Sequence, residues 1–120
     1  MTNMNLVIRF WKIIDGGEFS FLNEVLSEKV KVCLKNTSER FDGIDQYIDF
    51  NNNYPGKWNA SIECLYEIND GVISMVKVFN AEGDSFYVVS VFKITAGLIT
   101  EISEYWGENG QIPQWRVEEK

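Results

Sequence analysis

The chain has no histidine, and only two cysteines and two prolines in 120 residues. Histidine is the commonest metal ligand and the usual neutral-pH general base, so its absence removes the ordinary zinc sites and the serine or cysteine triads that depend on it. Cys33 and Cys64 stand far apart, which matches neither a redox Cys-x-x-Cys motif nor a disulfide framework. Two reduced thiols, no metal and no cofactor are the expectation. Positive charge is also scarce: eleven basic against eighteen acidic side chains give a net charge of −7, which repels phosphate backbones. No basic run carries interleaved aromatics, so nucleic acid is excluded as a partner. Long apolar runs are missing too. The stretch Leu6–Ile14 is interrupted by Arg9 and Lys12 and has no small-residue cleavage site after it, which fits neither a signal peptide nor a membrane span. A cytoplasmic protein without membrane contact is expected, and the triplets Asn36-Thr37-Ser38 and Asn59-Ala60-Ser61 carry no weight as glycosylation sites outside the secretory route.

What is present suits a single domain over residues 1–120. The apolar fraction, 45%, supports a core without metal or disulfide staples, and no repeat, linker or low-complexity segment suggests a boundary. Leu6, Val7, Phe10, Trp11 and Ile14 recur at helical spacing, and Asp15-Gly16-Gly17 supplies a helix end. A second short helix is expected from Ser20 to Leu26. Lys29–Lys35 then alternates as a half-buried strand, with a short return at Arg40 and Phe41. Asp42 can cap a third helix bearing Ile44, Tyr47 and Ile48, which Tyr54-Pro55-Gly56 terminates. Four strands follow: Trp58–Ile68, Val72–Asn80, Ser85–Thr95 and Leu98–Trp106. The turns Asn69-Asp70-Gly71, Ala81–Asp84 and Ala96-Gly97 make them an antiparallel meander. Helices first and a meander after them predict an α+β fold with the helices covering one face of a curved antiparallel sheet.

This order resembles that of a SnoaL-like protein of the nuclear transport factor 2 superfamily. The likeness rests on Trp11 before Asp15-Gly16-Gly17, Asp42-Gly43-Ile44, Tyr54-Pro55-Gly56, Glu104-Tyr105-Trp106-Gly107 and Pro113-Gln114-Trp115-Arg116, and it runs through nearly the whole chain. The resemblance implies a cone with a concave small-molecule pocket and a dimer through the outer sheet face. It does not imply one activity, since ketosteroid isomerases, polyketide cyclases, limonene epoxide hydrolase and transport factors share that cone. The sequence shows neither the complete tyrosine and aspartate set of the isomerases nor the arginine and aspartate set of the epoxide hydrolases.

Glu104 is the sharpest anomaly, a carboxylate on a stripe with Leu98, Thr100, Ile102 and Trp106. Among apolar side chains such a carboxyl has a raised pKa and can transfer protons near neutral pH. Alternatively it pairs with Arg116, with Trp115 anchoring the returning tail as a latch. Trp11, Trp58 and Trp106 are read as core or as ligand contacts, and Tyr66 and Ser90 as hydrogen-bond donors to a ligand carbonyl. The primary reading is a protein that binds a small apolar or carbonyl-bearing ligand. The alternative is a cyclase or isomerase in which Glu104 moves the proton while Tyr66 or a tryptophan N–H steadies an oxyanion. Tyr87, Val89 and Val91, with Met75 and Phe79, give the outer sheet face an apolar surface, so a homodimer through that face is expected.

Overall fold

Helix α1 covers Asn3–Gly16 and begins where the Thr2 hydroxyl accepts the Asn5 N–H at 3.1 Å. It ends at Gly17, whose φ of 71° is left-handed and whose N–H reaches the Ile14 carbonyl. Leu6, Val7, Phe10, Trp11 and Ile13 form its buried stripe. The computed structural model describes residues 1–118, of Glu118 the backbone alone. Residues 119 and 120 of the expected 1–120 domain lie outside the described residues.

The second helix differs from expectation. Phe19–Glu24 is a 3₁₀ segment, and Leu26 already opens strand β1, Leu26–Leu34. So short a piece gains from tight i to i+3 bonds, such as Val25 N–H to the Leu22 carbonyl at 3.1 Å, and Leu22 alone is buried. Strand β2, Glu39–Asp42, pairs antiparallel with β1. Asp42 ends that strand and does not cap the next helix. Helix α2, Ile44–Asn53, starts instead at Gly43 with φ 90°, while the Gln46 side chain accepts the Asp42 N–H at 2.9 Å. A φ of that sign suits glycine, so backbone freedom replaces the expected side-chain cap.

The meander consists of β3, Asn59–Ile68, β4, Gly71–Phe79, β5, Ser85–Thr95, and β6, Leu98–Glu108. The sheet order is β2-β1-β6-β5-β4-β3. It is mixed and not antiparallel throughout, because β1 runs parallel to β6. Helix α2 carries the chain from β2 at one edge to β3 at the other, so the meander returns to β1 from the far side. At the β4–β5 crossing a Cβ on Gly71 would stand 1.7 Å from the Phe92 carbonyl oxygen, so only glycine fits there. Register shifts interrupt the β1–β6, β3–β4 and β5–β6 pairings, and such bulges bend strands.

Helix α1 packs on β3 and β4, and α2 on β1, β2 and the 3₁₀ segment, so both helices cover one sheet face. Phe10, Leu22, Val30, Val72, Val76, Val88, Phe92 and Ile102 fill the space between the layers. Each large side chain sealed there contributes about 1.5–3 kcal/mol relative to exposure. Helix α3, Gln114–Glu118, follows the sheet. Among the described residues no helix is long and apolar enough to cross a membrane.

Candidate functional site

The β5–β6 register decides which β6 side chains point under the helices. Lys93 pairs with Glu101 but Ile94 with Ile99, so Thr100 is the extra residue of a bulge. The bulge turns Ile99 inward in place of the expected Leu98 and Thr100; Leu98 is 36% exposed and Ile99 is sealed. Beyond it, Ile102 and Glu104 are buried and Trp106 packs against the core. Glu104 is only 2% exposed. The Trp106 indole N–H donates to its Oε1 at 3.3 Å and the Tyr47 hydroxyl to its Oε2 at 3.4 Å. No cation pairs with it among the described residues. Burial therefore pushes the Glu104 carboxyl from 4.5 up to about 7, while the bonds from Trp106 and Tyr47 pull the other way. Burial, and next the Glu104 charge, hold the Tyr47 phenol well above its ordinary value, so it stays neutral.

Glu104 lies on the wall of a cavity of about 530 Å³ between the helices and the sheet. Trp11, Trp58 and Trp106 line it, joined by Tyr47, Phe50 and Phe86. Trp58, Phe86 and Trp106 follow one another at centroid separations of 5.5 and 5.8 Å, tilted by 53° and 76°, so their faces look in different directions. All three tryptophan N–H groups are already used: Trp11 donates to Ser74 Oγ at 3.0 Å, Trp58 to the Pro55 carbonyl at 2.9 Å, and Trp106 to Glu104. The wall thus offers aromatic faces and one buried carboxyl, with Asp15, Glu39, Lys57 and the amides of Asn36, Asn51 and Asn52 also lining it, and its indoles have no N–H left for an oxyanion.

Two expected donors lie elsewhere. Along β3 the partner of Ile62 is Val76 and that of Cys64 is Met75, so Glu63 is an extra residue and every later side chain changes face. Leu65 joins the core, whereas Tyr66 is 52% exposed on the opposite side, with its phenol pushed up by a hydrogen bond with Cys64. Ser90 points inward, paired across strands with Ser74 and Glu104, but it is sealed behind the cavity wall and its hydroxyl has no partner among the described residues. The latch is not formed either. Trp115 is 60% exposed, and Arg116 stacks on it at 5.2 Å and not on Glu104 or Glu108. The end of β6 is held instead by Asn36, whose Oδ1 accepts the Trp106 backbone N–H at 2.7 Å, and by Asn109 on Ser85.

Sequence reasoning missed Tyr47 and Ser74 as parts of this site. Both were open to a chemical clue, because a buried phenol or indole has to find a partner. Their partners, Glu104 and Trp11, are 57 and 63 positions distant in the chain.

Neither a protein-family model nor a curated protein sequence matches the chain. Solved structures do. A candidate ketosteroid isomerase from Kribbella flavida superposes with a TM-score of 0.84 at 23% identity, covering 97% of this chain and 85% of that one. A nuclear transport factor 2-like protein of unknown function from Burkholderia xenovorans gives 0.83 at 16% identity, covering 97% and 91%. A candidate SnoaL-like polyketide cyclase from Jannaschia gives 0.74 at 17% identity, covering 87% and 84%. At such identities the likeness speaks for architecture and not for chemistry. The helices on one face of a bulged six-stranded sheet, and the match along nearly the full length of these chains, make this the nuclear transport factor 2-like fold.

Proposed function

We propose that this protein binds a small, predominantly apolar molecule in its cavity, with Glu104 as the anchor for the ligand's polar group. The observation that carries the reading is a buried carboxyl without a cationic partner among the described residues, on the wall of an aromatic cavity large enough for a small molecule. Saturable quenching or enhancement of tryptophan fluorescence by steroid-like, polyketide-like or terpene-like compounds tests it. Trp106→Ala is expected to weaken such binding at least about tenfold, equivalent to about 1.4 kcal/mol. A screen without a saturable change would remove the ligand reading.

One observation favours a second reading, catalysis of an isomerisation or cyclisation by proton transfer. A carboxyl near 7 is half-protonated at neutral pH and suited to give and take protons. With Tyr66 outside, the hydroxyl and indole beside Glu104, on Tyr47 and Trp106, both donate to its carboxylate, so either could steady a developing negative charge only once Glu104 has taken up the proton and released that donor. Turnover of a carbonyl compound that disappears in a folded Glu104→Gln variant would establish this reading, and binding without turnover would leave the first.

The outer face of the sheet supports a homodimer. Cys64, Met75, Val89 and Tyr105 fall in one cross-strand row, and Tyr66, Ile73 and Val91 in the next, which leaves an apolar surface that the helices do not cover.

A further inference from the structure

The chemistry of the cavity wall is lopsided. Its tryptophan N–H groups are turned into the protein, so what they present to a ligand is carbon and π face. Its buried charged group is an acceptor, the Glu104 carboxylate, which has no cation beside it among the described residues. Asp15 and Glu39 are also on the wall, against a single cation, Lys57. The whole chain carries −7, a field that draws in cations and repels anions. A neutral carbonyl compound would find donors on Asn36, Asn52 and Lys57, but the two beside Glu104, on Tyr47 and Trp106, already donate to its carboxylate. An anion would meet carboxylates. A cation with an apolar skeleton would meet the ring quadrupoles of Tyr47, Phe86 and Trp106 and the counter-charge that Glu104 lacks.

We infer that the ligands this cavity selects are organic cations, alkylammonium groups carried on an apolar or aromatic skeleton, seated against Glu104 and the rings beside it. The inference rests on the cavity being a ligand site and goes further by fixing the ligand's charge. Glu104 is faced by Tyr47 from α2, by Trp106 from its own strand, by Ser90 from β5 and by Leu34 from β1, none of them cationic. Asp15 is already engaged by the Asn59 amide and the Ala60 N–H, and Glu39 by the Thr37 hydroxyl. That leaves Glu104 as the group whose ionisation governs a cation inside the cavity. Such a ligand binds the carboxylate form, so its affinity grows as pH rises through about 7 and falls below it.

The test uses two probes of one shape, benzyltrimethylammonium and its uncharged isostere neopentylbenzene, titrated by tryptophan fluorescence. The quaternary nitrogen cannot lose a proton, so any pH dependence belongs to the protein. Benzyltrimethylammonium is expected to bind at least about tenfold tighter than the isostere near pH 8.5, and at least about tenfold tighter there than near pH 5.5, where a carboxyl titrating near 7 is protonated. In Glu104→Gln the preference for the charged probe should disappear while the isostere still binds. Saturable binding of the isostere alone, or equal affinity of the charged probe at both pH values, would overturn the inference and leave the cavity as a neutral ligand site. No binding of either probe would overturn the cavity reading along with it. The wild-type pH comparison needs no variant, so a poorly folding Glu104→Gln does not remove the test.

Discussion

In the folded chain the Glu104 carboxyl titrates near 7 against an ordinary 4.5, and desolvation is the main cause. Between those two values the folded protein holds a proton that the unfolded chain has released. The stabilisation tied to that proton is fully present below about 4.5 and is lost as pH rises through about 7. A shift of this size corresponds to about 3 kcal/mol. Glu104→Gln removes the titration, so urea unfolding should show the variant gaining about 3 kcal/mol on the wild type between pH 4 and pH 8. A difference independent of pH would mean that Glu104 is ionised and solvated in the native state. The anomaly was legible because a carboxylate stood beside Ile102 and Trp106 on one stripe. Its partner was not: Tyr47 reads as an ordinary member of a helical apolar face with Ile44 and Ile48, and only the folded chain brings its hydroxyl to Glu104.

At the scale of elements, hydrophobic period and turn residues located every helix and strand through β6 to within a few residues, and the errors in which way a side chain faces lie where one residue changes the phase. Glu63 is such a residue. Nothing in Ile62-Glu63-Cys64 marks a bulge, yet it sends Tyr66 to the outer face and Leu65 to the core, and Thr100 does the same to Leu98 and Ile99. The tail failed for a different reason. Glycines and a proline show that a chain can turn, but not that the returning segment finds a surface to bury it, and Trp115 finds little. Arg116→Ala should therefore change stability by less than about 1 kcal/mol and show no coupling to Glu104→Gln in a double-mutant cycle. Asn36→Ala, which strips the Trp106 backbone N–H of its 2.7 Å acceptor, should cost about 1 kcal/mol. Thermal or urea unfolding of the three single variants and the double variant distinguishes these outcomes. A costly Arg116→Ala would restore the latch.

Among the described residues there is one sheet and one layer of helices, so one sheet face has no layer over it. Water-facing strands ordinarily alternate toward polar side chains. Here the outward positions of β4 and β5 include Ile73, Met75, Tyr87, Val89 and Val91, with Tyr66 and Tyr105 beside them on β3 and β6. Tyr66, Met75, Tyr87 and Tyr105 are each more than a third exposed in the single chain. A second copy is a fitting cover, because a two-fold axis through the sheet apposes the same rows to themselves while the cavity lies on the helix-covered side. Lys93 and Glu101, bridged at 3.4 Å, and the exposed Lys31 give the Leu98 end of this face a charged rim. Light scattering at micromolar concentration should give twice the chain mass of 13.9 kDa. Val89→Glu, in the middle of the apolar rows, should yield a monomer whose far-ultraviolet dichroism is unchanged, since its side chain makes no part of the core between helices and sheet. A monomeric wild type would leave the apolar rows without a second copy to cover them. A dimer unaffected by Val89→Glu would place the interface elsewhere on the molecule.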